Sequence, residues 1–181
     1  MRDARAKLEE ELLVLRSQEG DRESFGQLVD YWQPRLFAHA WRLTGSEEAA
    51  WDVVQDTWMA ALGGVNKLAE PRLFAPWLFR IAANKCADWV HKQERRRKTE
   101  GQVLRDVPAP APPSSEGRDV LDTARALLPS QTNALLALYY IEGFTAEEIG
   151  GVLAIPPGTV RSRLFYARAE LKRQVERLDH E

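Results

Sequence analysis

The sequence predicts an all-α protein: two small helical domains joined by a flexible Pro-rich linker. Three observations carry this expectation. In both halves apolar residues recur at intervals of three and four, the spacing that lines one face of a helix. Between the halves, from Gln102 to Gly117, that period vanishes, and Pro108, Pro110, Pro112 and Pro113 lead into Ser114 and Ser115. Near the C-terminus, Thr145 and Glu148 stand at capping-box spacing, and Ile155-Pro156-Pro157-Gly158 interrupts the helix that they would open.

A structureless stretch of that length is improbable inside one compact domain. The chain therefore divides into residues 1–95, a linker at 96–119 and a second domain at 120–181. Fully extended at about 3.3 Å per residue, the segment from Arg96 to Arg118 would reach on the order of 75 Å.

In the first half, Phe25, Leu28, Val29, Trp32, Leu36 and Phe37 make one helical stripe, and Gly45 and Ser46 punctuate before the next helix. That second helix places Trp51, Val54, Trp58, Ala61 and Leu62 on its inner side. Asp52, Asp56 and Met59 fall on another side at i, i+4 and i+7, so a carboxylate-bearing face is expected in solvent. A third helix is predicted from about Pro71 to about Lys92, buried through Phe74, Trp77, Leu78, Ile81 and Trp89. Arg80, Asn84, Ala87 and His91 share a different face, and a basic run follows at Arg95, Arg96, Arg97 and Lys98.

In the second half, Leu135, Leu138, Tyr139 and Ile141 build an apolar helix that Gly143 ends. The capped helix with Ile149 and Leu153 inward comes next, and after the Pro-Pro-Gly turn a last helix is predicted to start near Thr159. Two helices joined by so short a turn form a helix-turn-helix. Val160, Leu164, Ala167, Leu171 and Val175 supply the inner stripe of the last helix. Arg161, Ser162, Phe165, Arg168, Ala169 and Lys172 lie on the opposite or flanking side. A basic amphipathic helix taken alone reads as an ordinary solvated face; placed second in a helix-turn-helix, it suits the major groove. Guanidinium groups there reach phosphates or guanine edges, and an aromatic ring or methyl reaches thymine methyls.

Composition excludes several classes. With 44% hydrophobic residues the chain has material for packed helices. No apolar run approaches the roughly 20 residues that span a bilayer, and the N-terminus alternates charges, so a cytoplasmic protein without membrane insertion is expected. Cys86 is the single cysteine, and His39, His91 and His180 are scattered, so neither a disulfide framework nor a Cys/His zinc site can be assembled. Cys86 is expected half-buried on a helix. No cofactor is implied, and an enzyme finds no support: there is no phosphate-cradling glycine loop and no motif-level partner for the cysteine. The net charge of −2 argues against coating nucleic acid through bulk charge. Its distribution is uneven, with acidic residues crowding the first sixty positions and basic ones gathering at 95–98 and 161–173.

These motifs resemble the extracytoplasmic-function (ECF) sigma factors, group 4 of the sigma-70 family, over nearly the whole chain. Trp51-Asp-Val-Val-Gln-Asp-Thr-Trp58 is similar to the helix of sigma region 2 that docks on the clamp helices of the polymerase largest subunit. The resemblance implies that Asp52, Gln55 and Asp56 contact core RNA polymerase. Phe74-Ala-Pro-Trp77-Leu-Phe-Arg80-Ile-Ala-Ala-Asn84, followed by Asp88, resembles the segment that reads and melts the minus-10 element. In the family an extruded base is captured beside the preceding loop, which points to Asn84 with Arg80 and Lys67. Leu153-Ala-Ile-Pro-Pro-Gly158-Thr-Val-Arg161-Ser-Arg-Leu164 resembles the helix-turn-helix of sigma region 4 that reads the minus-35 element, implying Arg161, Ser162, Phe165, Arg168 and Lys172 at promoter DNA. An anti-sigma factor is the further partner that the resemblance implies.

Three positions depart from the family pattern: Trp51 for an acidic residue, Gly150 for an alanine, and Tyr166 for an arginine. The rival reading is a free-standing helix-turn-helix regulator, dimeric through its N-terminal half. That reading predicts palindromic half-sites and leaves the Trp58 and Trp77 segments without a purpose.

Overall fold

The computed structural model describes residues 4–99 and 120–178. From residue 100 onward the expected linker lies outside the described residues. Among those described there are helices and no strand, so the all-α expectation holds. Helix α1 spans Ala4–Gln18, α2 Arg22–Thr44, α3 Glu47–Gly64 and α4 Phe74–Thr99, with 3₁₀ turns at Val65–Lys67 and Pro71–Leu73 between the last two. In the second half α5 spans Val120–Ala126, α6 Ser130–Tyr140, α7 Ala146–Leu153 and α8 Pro157–Leu178.

Local chemistry sets most boundaries. Asp21 caps α2, accepting from the backbone of Glu23 at 3.0 Å and from the Ser24 hydroxyl at 2.6 Å. These bonds favour the carboxylate and hold its pKa below the usual range. Gly45 closes α2 at φ 66°, a left-handed conformation that glycine adopts without steric cost, and its N–H donates to Trp41 O at 2.8 Å. Ser46 caps α3, where Glu47 and Glu48 meet the positive end of the helix dipole. The capping box of α7 is present on both sides: Glu148 N donates to Thr145 Oγ1 at 3.2 Å, and Thr145 N to Glu148 Oε2 at 2.8 Å. Pro157 opens α8, two residues ahead of the predicted start, because its missing N–H is unneeded in a first turn. Helix α4 runs past Lys92 to Thr99, so the first basic residues of the expected linker continue a helix.

In the first half, Leu28, Trp32 and Leu36 of α2, Val53, Val54 and Ala61 of α3, and Phe74, Leu78 and Phe79 of α4 are buried together, with Val14 of α1 beside them. Fully burying each large side chain contributes about 1.5–3 kcal/mol. The second half buries Leu135, Leu138, Ile149, Val152, Val160, Leu164 and Ala167. The stripe of α4 is rotated from the expected one: Phe79, Ala82 and Cys86 are inside, whereas Ile81 and Trp89 are only half-buried. Cys86 is thus fully buried, and burial pushes its thiol up to about 12. Trp51 and Leu62 of α3, and Tyr139 and Ile141 around the end of α6, were expected inside and lie in solvent.

The two halves share one continuous core, with α7 packed on α4 and α6 on α2. Phe79 meets Phe144 edge-to-face, ring centroids 5.3 Å apart, and Phe144 is 2% exposed. Phe79 also meets Trp32 at 5.8 Å and the buried His39 ring at 5.2 Å. Beside this stack, Arg35 of α2 lies 3.6 Å from the buried Glu142.

Candidate nucleic-acid interface

Capping and burial of α3 decide which of its residues reach solvent. Val53, Val54, Thr57 and Trp58 turn inward, leaving Asp52, Gln55 and Asp56 exposed. Met59 and Leu62, 66% and 64% exposed, extend the same side, so the face mixes carboxylates with apolar surface. Sequence reasoning missed Leu62 because its position at the edge of the α3 stripe suits either side. Asp56 is not an isolated charge: Lys85 Nζ of α4 lies 3.6 Å from its carboxylate. Trp51 sits at the margin of this face, its ring 4.4 Å from that of Phe37.

On α4, Arg80 and Asn84 are exposed one turn apart, and Lys85 follows Asn84 directly. The Asp56–Lys85 pair therefore joins the α3 face to the Asn84 face. Lys67 is also exposed, but on the connection between α3 and α4. Three contacts fix that connection. Val65 is buried. A β-carbon at Gly64 would lie 3.1 Å from the Trp77 ring. Gln18, at the end of α1, donates from Nε2 to Val65 O at 2.9 Å and to Leu68 O at 2.7 Å. Gln18 had no local signal in the sequence, since its partners lie 47 and 50 residues away.

On α8, Arg161, Ser162, Phe165, Arg168 and Lys172 are all exposed, while Val160, Leu164 and Ala167 are buried. The basic groups are held in place. Arg161 pairs with Glu147 of α7, across the helix-turn-helix. Arg168 lies over the Tyr139 ring at 5.8 Å, and Lys172 stands 3.6 Å from Glu176. Ser162 donates to Gly158 O at 3.1 Å, which leaves its oxygen able to accept. Phe165 and its neighbour Tyr166 are 67% and 71% exposed, their rings 5.5 Å apart and nearly perpendicular. Tyr166, which stands where the family pattern has an arginine, thus belongs to the exposed surface.

The turn that orients α8 depends on two residues. Ala154 closes α7 at φ 54°, and Ile155 N donates to Gly150 O at 3.1 Å. A β-carbon on Gly150 would lie 2.8 Å from Ile155 O. The glycine that stands where the family pattern has an alanine therefore lets the turn close.

Among the described residues no group of His, Cys, Asp and Glu could hold a metal ion, and no helix is long and apolar enough to cross a membrane. What the geometry offers is one mixed acidic and apolar face, one polar face beside a fixed loop, and one basic aromatic helix.

Comparison with known proteins accounts for this combination. The family profile described as Sigma-70 region 2 matches residues 28–96, and that of Sigma-70, region 4 matches residues 118–171. An ECF RNA polymerase sigma-E factor of Haemophilus influenzae is 32% identical over 186 residues, covering 94% of this chain and 97% of its own. The ECF RNA polymerase sigma factor SigW of Bacillus subtilis is 28% identical over 173 residues, covering 88% and 92%. Among solved structures, CnrH in complex with the cytosolic domain of CnrY superposes with a TM-score of 0.65 at 25% identity, over 93% of this chain and 97% of that one. Sigma factor RpoE of Bartonella quintana, in complex with the anti-sigma factor NepR, shares the fold with a TM-score of 0.69 at 24% identity, over 85% and 98%. The chain belongs to the ECF sigma factors, the proteins that bind core RNA polymerase and direct it to particular promoters.

Proposed function

We propose that this sigma factor divides its work among the three surfaces. The α3 face of Asp52, Gln55 and Asp56 docks on core polymerase, with Met59 and Leu62 adding apolar contact. Arg80 and Asn84 of α4, with Lys67 of the preceding loop, read the minus-10 box once its bases unstack. Arg161, Ser162, Phe165, Arg168 and Lys172 of α8 read the minus-35 box as duplex. Residues 1–95 thus serve as region 2, 120–181 as region 4, and 96–119 as the connection.

The observation that carries this reading is the sorting of chemistry by element: α3 exposes carboxylates and contains no Lys or Arg, whereas α8 presents guanidinium, ammonium and aromatic groups together. Cationic groups on a helix suit the polyanionic duplex, and an exposed amide such as Asn84 can pair with the edge of a base taken out of the stack. No bond chemistry is involved; the protein acts by binding, in the cytoplasm where polymerase works. To meet two separated boxes, the halves must part at the Phe79–Phe144 and Arg35–Glu142 contacts, and the cost of parting lowers the apparent affinity. The CnrH and Bartonella relatives are each held by a second protein; an anti-sigma factor that grips the joined halves would keep this chain inactive in the same way.

The test separates the three surfaces. Asp56→Arg is expected to weaken core binding with the upstream contact retained, Arg161→Ala to weaken promoter selection with core binding retained, and Asn84→Ala to slow opening more than initial binding. If all three variants lost the same step, the division of labour would be wrong.

A further inference from the structure

The connection between α3 and α4 is held from outside by a residue of α1. Gln18 is the last residue of α1, and its position is set by the tight junction that follows. Gly20 turns at φ 94°, Asp21 N donates to Arg16 O at 3.0 Å, and Asp21 then caps α2. From there the Gln18 amide nitrogen donates to Val65 O and Leu68 O at 2.9 and 2.7 Å. Carbonyl oxygens only accept, so the orientation of the amide is fixed by its partners. The two carbonyls are the two ends of the 3₁₀ turn, and Leu68 N closes that turn on Val65 O at 3.1 Å. Between the clamped ends, Asn66 and Lys67 are both exposed.

We propose that Gln18 is a positioning residue for minus-10 recognition: it clamps the 65–68 turn so that Asn66 and Lys67 stand ready for an unstacked base. This rests on the reading that the loop meets the minus-10 box. A base leaves the stack only if the receiving groups return the energy of unstacking, and groups already in place return more than groups that must first be ordered. Freed from Gln18, the two carbonyls would bond to water at little cost, so the turn would loosen while the helices around it stay packed.

The experiment uses the full chain with core polymerase and a promoter carrying a fluorescent base analogue in the minus-10 box. Gln18→Met keeps the length of the side chain and removes its donors. Core affinity and occupancy of the minus-35 box are expected to stay within about twofold, while opening slows about tenfold. Discrimination between matched and single-base-changed minus-10 boxes is expected to shrink. Gln18→Lys, which restores N–H donors, is expected to recover most of the opening rate. Backbone amide exchange gives a second readout, faster at residues 66–69 in Gln18→Met with α3 and α4 still protected. Unchanged opening and discrimination, or opening, core affinity and α3 protection all falling together, would overturn the proposal. Asn66→Ala and Lys67→Ala in the presence of Gln18 test the underlying reading separately. If both leave opening untouched, the loop does not read the box; if both impair it while Gln18→Met does not, the loop reads the box unaided.

Discussion

At the scale of single residues, two positions store an energetic cost that can be measured. Ala154 holds a left-handed conformation, which costs an L side chain roughly 1–2 kcal/mol, while glycine there would lose more backbone entropy on folding. The balance favours glycine, so Ala154→Gly is expected to raise stability by about 0.5–1 kcal/mol in urea titrations; a loss would show that the turn tolerates alanine freely. His39 is the second. Its ring is fully buried, neither nitrogen has a hydrogen-bond partner, and burial together with the nearby Arg42 guanidinium lowers its pKa to about 3. Above pH 6.5 both folded and unfolded chains carry it neutral. Between pH 6.5 and about 3 the unfolded chain takes up a proton that the folded chain refuses, so this residue makes stability fall with pH through that window. By pH 5.5 the loss is on the order of 1 kcal/mol, and His39→Leu is expected to flatten that part of the profile.

At the scale of elements, a helix exposes its chemistry according to which stripe it buries. Asp56→Arg exchanges a carboxylate next to Lys85 for a second cation in solvent, a small matter for folding. Across a docked interface the same change inverts a charge, and core affinity is expected to fall by tenfold or more in a binding titration. On α8, Arg161→Ala leaves Glu147 free in solvent and is expected to reduce transcription from the preferred promoter by roughly 5- to 100-fold, the range of a good base contact. If affinity for every sequence fell equally, Arg161 would be a phosphate contact.

These elements were legible because their signals are local. The capping box of α7, Gly45, the Pro-Pro-Gly turn and the spacing of Leu28, Trp32 and Leu36 act within a few residues. The α3 and α8 faces followed from that spacing and from the family motifs. The sequence misled where a residue sits at the edge of a stripe, as with Leu62 and Trp51, or where a helix meets a distant partner. The stripe of α4 turned toward Phe79 because Phe144, 65 positions later in sequence, packs against it. Gln18 was invisible for the same reason, its acceptors being backbone atoms of another element.

At the scale of the whole molecule, the shared core makes the two halves one cooperative unit while they are in contact. All six tryptophans lie in the first half, so their fluorescence reports that half alone. Phe144→Ala, a change in the second half, removes a buried ring and is expected to cost about 3 kcal/mol. Because Phe144 packs on Phe79, the tryptophan-monitored transition is expected to shift to lower urea. A transition that stays in place would mean that the halves fold independently. On the proposed function the same contact opens to reach two promoter boxes, so the variant is also expected to bind core polymerase no more weakly than the parent chain.

The division of labour among the α3, α4 and α8 surfaces is tested most directly by mixing the purified chain with core polymerase and selecting promoters from a random library at fixed salt. The account expects stoichiometric binding to core and the recovery of two spaced boxes, the upstream one altered in selectivity by Arg161→Ala and the downstream one by Asn84→Ala. No binding to core, with tight binding of the free chain to palindromic DNA, would contradict it.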